Sequence, residues 1–149
     1  MVEIGYNIGD FELKDHTDQL FRGRDFQGKK ILLSFHPLAW TPVCRDQMLS
    51  LEKNLDRFQS LNSVAVGVSI DSVFSKKAWA EAIGIKKTRL LSDFWPHGGL
   101  ALRLGLFRYK DGFSERANVI INEMGQVKFI KVYPIPELPD IEEILANLT

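Results

Sequence analysis

The stretch HPLAWTPVCRDQM, residues 36–48, holds the only cysteine of the chain, preceded by two prolines and a threonine. A cysteine is a reagent only as thiolate, so its surroundings decide whether it does chemistry or fills space. Cys44, Met48, Leu51, Leu55 and Phe58 recur at spacings of four, three, four and three, which is one face of a helix. Cys44 falls in the first turn of that helix, on the stripe turned toward the interior. Pro42 suits such a turn, because its missing N–H would have found no helical acceptor. Thr41 just before it fits the N-cap position. Unpaired N–H groups and the positive end of the helix dipole both favour a thiolate. The chemistry this allows is nucleophilic attack by sulfur. A free cysteine is also a common small core hydrophobe, and position alone leaves that reading open.

The elements that must hold this stretch alternate along the chain. KKILLSF (Lys29 to Phe35) and SVAVGVSI (Ser63 to Ile70) are short, nearly continuous apolar runs that suit strands covered on both faces. FELKDHTDQLFRG (Phe11 to Gly23) reads as two short strands around a polar turn. SVFSKKAWAEAIG reads as a helix with Asp71 or Ser72 as N-cap and Gly84 as stop. Its inward face is expected at Phe74, Ala78 and Ala82, with Phe74 and Trp79 in the core. HGGLALRLG gives a third helix ending at Gly105; ANVIIN and QVKFIKVY make a hairpin across NEMG; LPDIEEILANL is a closing helix capped by Asp140. This succession implies an α/β sandwich around a central mixed β-sheet, one domain over residues 1–149.

Composition narrows the function classes. The 19 basic and 19 acidic residues cancel, and no basic stripe stands out, so no nucleic acid and no anionic membrane surface is favoured as partner. No apolar run approaches membrane-spanning length, and MVEIGYNIGDFEL lacks the look of a signal peptide. One cysteine cannot form an internal disulfide, which makes a cytoplasmic location the default expectation. The three histidines show no metal-ligand spacing, and no Gly-rich phosphate loop is present, so neither metal nor cofactor is expected.

The wider pattern decides between reagent and filler. Pro37, Thr41 and Cys44 spell P-x-x-x-T-x-x-C; ERANVIIN places an arginine, Arg116, at the opening of a strand; and LLSDFWPHGGLALRLGLF spans Leu90 to Phe107. In these stretches, in this order, the chain resembles the peroxiredoxins, and in the third it is similar to the AhpE-like one-cysteine members. The resemblance implies a thioredoxin-like fold and a thiol-dependent peroxidase that turns over hydrogen peroxide and organic hydroperoxides through a cysteine sulfenic acid. It further implies a homodimer, to which exposed aromatics such as Phe94 and Trp95 would contribute. Cys44 would be the nucleophile, with Arg116 stabilising thiolate and transition state, the Thr41 hydroxyl donating to a substrate oxygen while accepting from its neighbours, and Pro37 walling the pocket against water.

The chain also departs from the family's habits. His36 stands where an aromatic residue usually precedes the motif proline, and Gln47 stands where Glu is commoner than Gln. Leu49 occupies a place where some relatives carry a resolving cysteine. Without a second thiol, the oxidised sulfur is expected to be recycled by an external reductant, a small thiol or a thioredoxin- or glutaredoxin-like protein. Two other readings stay in view: a cysteine hydrolase with Cys44 activated by His36 or His97, and a redox sensor switched by oxidation of Cys44. Beyond these roles, His16 reads as a solvated turn residue, His36 as a structural histidine and His97 as a helix cap.

Overall fold

A computed structural model describes residues 1–149. The two apolar runs form β3 (Lys30–Phe35) and β4 (Ser63–Ser69), which pair in parallel. β5 (Arg89–Ser92) extends the parallel set beyond β4. On the other side β8 (Arg116–Ile121) runs antiparallel to β3, and β9 (Val127–Tyr133) antiparallel to β8. The result is a five-stranded mixed sheet in the order β5-β4-β3-β8-β9.

Alternation along β3 sends its side chains into two cores. Leu33 and Phe35 join Phe21, Val66 and Val119 on one face, whereas Leu32 joins Met48, Phe58, Trp79 and Ile120 on the other. The second face is covered by α1 (Pro42–Lys53), α2 (Leu55–Ser60), α3 (Val73–Ile83) and α5 (Ile141–Ala146). β1 (Glu12–Lys14) and β2 (Leu20–Arg22) form the expected hairpin, and α4 (Gly99–Arg103) follows β5. Ser72 caps α3 by accepting from the Ser75 N–H, Gly84 ends it at φ +82°, and Asp140 caps α5.

Two expectations need correction, and three short strands were not expected at all. The single helix read from residue 44 to residue 58 breaks at Asn54, whose side chain donates to the Ser50 carbonyl, so α1 and α2 are separate. The short strand β5 and the two-residue pair β6 (Phe107–Arg108) with β7 (Phe113–Ser114) had too little pattern to register as strands. The inward face of α3 is also different. Phe74 is 85% exposed and Ala78 and Ala82 lie outside, whereas Lys76, Trp79 and Ala80 are buried. Trp79 is the largest side chain available to fill the space over the sheet, and Lys76 shares its face of the helix.

Candidate active site

The chain leaves β3 at Phe35 and does not drift away from the sheet. The N–H of His36 still donates to the Val68 carbonyl, and the N–H of Ala39 donates to Asp71 Oδ2 at 2.8 Å. Trp40 then turns through φ +71°, a left-handed conformation uncommon for an aromatic residue, and its indole N–H donates to Ser75 Oγ. Both bonds anchor the loop before α1 begins.

Thr41 occupies the N-cap position of α1, with Pro42 at the first helical position as expected. Its hydroxyl does not cap the helix. It donates instead to the Leu38 carbonyl at 2.8 Å, which commits the one proton that was expected to go to a substrate oxygen. The N–H groups of Val43 and Cys44 therefore have no acceptor from the helix or from its cap, which keeps the positive end of α1 available to an anion.

The register of β3 against β8 pairs Phe35 with Ala117, so Arg116 arrives beside the loop. Arg116 is 2% exposed and Cys44 fully buried. Arg116 Nη1 lies 3.3 Å from Cys44 Sγ and 2.8 Å from Gln47 Oε1, and its Nε donates to the Ile135 carbonyl at 2.8 Å. Gln47 turns its other end inward, donating from Nε2 to Ser34 Oγ at 2.7 Å and to the Phe35 carbonyl at 3.1 Å. Ser34 passes the chain on to Asn118 Oδ1. A glutamate at this position could accept from Arg116 but could not donate to Phe35 O. The amide does both, and it leaves the positive charge of Arg116 uncancelled.

Beside the sulfur lies a cleft of about 240 Å³, lined by Pro37, Thr41, Val43, Phe113, Ile135 and Arg116. Its walls are mostly apolar and its one charge is the guanidinium. Of the residues singled out in the sequence, Pro37, Thr41 and Arg116 line this cleft, and Cys44 lies buried behind it in contact with Arg116.

The histidines go elsewhere. His36 is fully buried behind the loop, its Nε2 facing the Lys76 ammonium rather than the sulfur, and burial and that cation hold it well below the usual histidine range. His97 donates from Nε2 to the Gly112 carbonyl and packs edge-on against Phe107. His16 is not simply solvated: its Nδ1 accepts from the N–H of Leu90. No imidazole is hydrogen-bonded to Cys44, which is the contact a cysteine hydrolase would need. Lys76 was not picked out by pattern, because the hydrophobic spacing of α3 pointed to other positions.

The sequence profile of the AhpC/TSA family matches residues 4–130. The chain is a peroxiredoxin of that family. Among peroxiredoxin relatives, alkyl hydroperoxide reductase E from Mycobacterium tuberculosis is 33% identical over 153 aligned positions, covering 100% of this chain and 99% of that one. A peroxiredoxin from Thermotoga maritima is 34% identical over 149 positions, covering 95% of this chain and 68% of its own length. Reduced 2-Cys peroxiredoxin from Plasmodium vivax superposes with a TM-score of 0.89 at 28% identity, over 99% of this chain and 81% of that chain. AhpC from Enterococcus faecalis superposes with a TM-score of 0.89 at 29% identity, over 99% and 91%. The sheet and its helices are the thioredoxin-like fold of these peroxiredoxins, and the chain is a thiol-dependent peroxidase. No helix is long and apolar enough to cross a membrane.

Proposed function

We propose that Cys44 is the sulfur that attacks the hydroperoxide, with Arg116, Thr41 and Pro37 shaping its pocket. The observation that carries this is the 3.3 Å approach of Arg116 Nη1 to Cys44 Sγ at the start of α1. A permanent cation and a helix N-terminus converge on one buried sulfur, and both favour the thiolate. The thiolate forms a bond to one peroxide oxygen while the O–O bond breaks, and the other oxygen leaves with the electron pair as alkoxide or hydroxide. Charge that spreads along S–O–O in the transition state meets Arg116 and the free N–H groups of the first helical turn. Because Thr41 gives its proton to Leu38 O, it offers lone pairs to the incoming O–H of the hydroperoxide. The apolar walls around Pro37 suit an alkyl group and limit water.

Recycling follows from the lone thiol. The sulfenic acid is reduced by an external thiol, a small molecule or a thioredoxin- or glutaredoxin-like protein, through a mixed disulfide. Stepwise peroxide addition followed by intact mass tests both points. One oxygen and then a second should add to the reduced protein, a thiol supplied after the first should be trapped as an adduct, and Cys44→Ser should take up no oxygen and consume no peroxide. A Cys44→Ser variant with more than trace turnover overturns the assignment.

The protein acts as a homodimer in this reading. Phe74, Phe94 and Trp95 are exposed, at 85%, 51% and 81%, and line one face with Leu13 and Leu20. So much aromatic surface in one place is what a subunit contact covers. Sedimentation at micromolar concentration should give a dimer that Trp95→Glu splits; a monomer in the unaltered protein overturns it.

A further inference from the structure

Peroxide attack as described leaves one buried cation without a task. Lys76 on α3 is completely buried, and its Nζ contacts only two polar partners, Ser69 Oγ and, at 3.3 Å, His36 Nε2. The direction of each bond can be worked out. His36 Nδ1 lies 3.3 Å from the Ser34 carbonyl, which only accepts, so Nδ1 carries the hydrogen and Nε2 is the acceptor. Ser69 Oγ gives its single proton to Asp71 Oδ2 at 2.6 Å, so it too accepts from Lys76. Lys76 therefore donates twice. A neutral amine has two N–H bonds and meets both acceptors, and an ammonium meets them as well with one to spare. The site fits either charge state, which is unusual for a buried lysine.

The surroundings are made for this cluster. A side chain on Gly67 of β4 would place its Cβ 2.3 Å from Met48 Sδ and 3.2 Å from His36 Cε1, so only glycine lets both pack here. The titratable groups that face Lys76 come from every neighbouring segment: His36 after β3, Asp71 after β4, Cys44 on α1 and Asp93 after β5, with Arg116 on β8 acting on His36 and His16 of the β1–β2 turn sensing the ammonium. Burial lowers the Lys76 pKa to about 7, against the pull of Asp71, Cys44 and Asp93, which favour the charged form.

We propose that Lys76, seated on His36 and Ser69, is a positioning residue whose charge follows that of Cys44: an ammonium while the sulfur is a thiolate, an amine once the sulfur is a neutral sulfenic acid. The inference rests on Cys44 being the attacking thiol. The thiolate and the ammonium favour each other, and oxidation removes the anion from the pair. The sum is Cys–S⁻ + ROOH + Lys–NH₃⁺ → Cys–SOH + ROH + Lys–NH₂. The sulfur gains the S–O bond, the O–O bond breaks, the leaving oxyanion takes a proton from water, and Lys76 returns one to water. When an external thiol later restores the thiolate, the proton goes back to Lys76. Without this coupling, every thiolate oxidised would draw one proton from the medium.

The test counts protons. Reduced protein in weak buffer with a pH indicator receives one equivalent of hydrogen peroxide, the thiolate present beforehand is read from its ultraviolet absorbance, and oxygen addition to Cys44 is checked by mass. Unaltered protein should take up well under one proton per thiolate oxidised at neutral pH, rising toward one at alkaline pH, where Lys76 is neutral from the start. Lys76→Arg, permanently charged, should keep the thiolate and take up one proton at every pH. Lys76→Met should also take up one per thiolate oxidised, with less thiolate at neutral pH. If the larger guanidinium prevents folding, Lys76→Met and the pH dependence of the unaltered protein carry the test. A full proton at neutral pH with Cys44 oxidised overturns the coupling alone, as does a variant that keeps the shortfall. A sample in which no oxygen adds to Cys44 overturns the assignment of the thiol itself.

Discussion

Arg116 and Lys76 are both cations, both buried, and both close enough to Cys44 to feel its charge, yet the protein satisfies them by opposite means. Arg116 spreads its charge over the Ile135 carbonyl, the Gln47 amide oxygen and the sulfur. A guanidinium cannot give up its proton, so the turn after β9 and the first turns of α1 supply its acceptors. Lys76 is given a ring nitrogen and a hydroxyl oxygen, and no carboxylate touches it. The cost of burying its charge lowers its pKa to about 7. The contrast separates a fixed charge, proposed to serve the transition state, from a variable one, proposed to answer to the state of the sulfur.

The strongest way to break the contrast is to remove the fixed charge. Arg116→Ala should slow oxidation of Cys44 by at least about 10²–10³-fold, the scale seen when one electrostatic donor is lost from a preorganised site. Stopped-flow peroxide consumption checks this, and an Arg116→Ala protein with an unchanged rate would mean that Lys76 or the helix alone activates the sulfur.

Removing the variable charge should leave its mark on stability. The folded pKa of Lys76 is near 7 against an ordinary 10.5, so between these values the unfolded chain binds more protons than the folded one. Stability therefore rises with pH through that window, and below about 7 the cost is fully present. Urea unfolding at several pH values should show this rise, about 1.4 kcal/mol per pH unit at its steepest, and Lys76→Met should lack it. Equal slopes in the two proteins would mean that Lys76 stays charged in the folded state.

A milder change sharpens the comparison. Gln47→Glu puts a carboxylate against Arg116 and withdraws the donor from Phe35 O, turning the fixed cation into a closed ion pair. Peroxide consumption is expected to fall about tenfold, roughly 1.4 kcal/mol in the barrier, while the proton count at Lys76 stays the same. A rate equal to that of the unaltered protein would show that charge on Arg116 matters less than its placement.

Much of the site could be read from the sequence because its signals are local or carried by motif. Pro42 and the four-three-four-three spacing placed Cys44 in a first helical turn, and the motif brought Pro37, Thr41 and Arg116 to it. What failed were inferences that needed tertiary rotation. Phe74 reads as core by composition, but the Ser72 cap and the bulk of Trp79 fix the angle at which α3 meets the sheet, and that angle exposes Phe74 and buries Lys76. A lysine's long apolar stem hides its headgroup from pattern analysis. The Thr41 hydroxyl fell in the right place with a different partner, because a donor aimed at Leu38 O and an acceptor aimed at the helix look alike in sequence. His16 likewise gave no hint that Leu90 would need an acceptor.

The missing cap on α1 bears on how the sulfur is reached. Arg116 is mounted on a strand with neighbours bonded on both sides, whereas Cys44 hangs from the first turn of a helix whose cap residue bonds elsewhere. Fraying of one helical turn costs far less than opening a central strand. Amide hydrogens at Val43 and Cys44 should thus exchange quickly while those of β8 stay protected. Slow exchange at Val43 and Cys44, equal to that of β8, would mean that the uncapped turn holds as firmly as the strand.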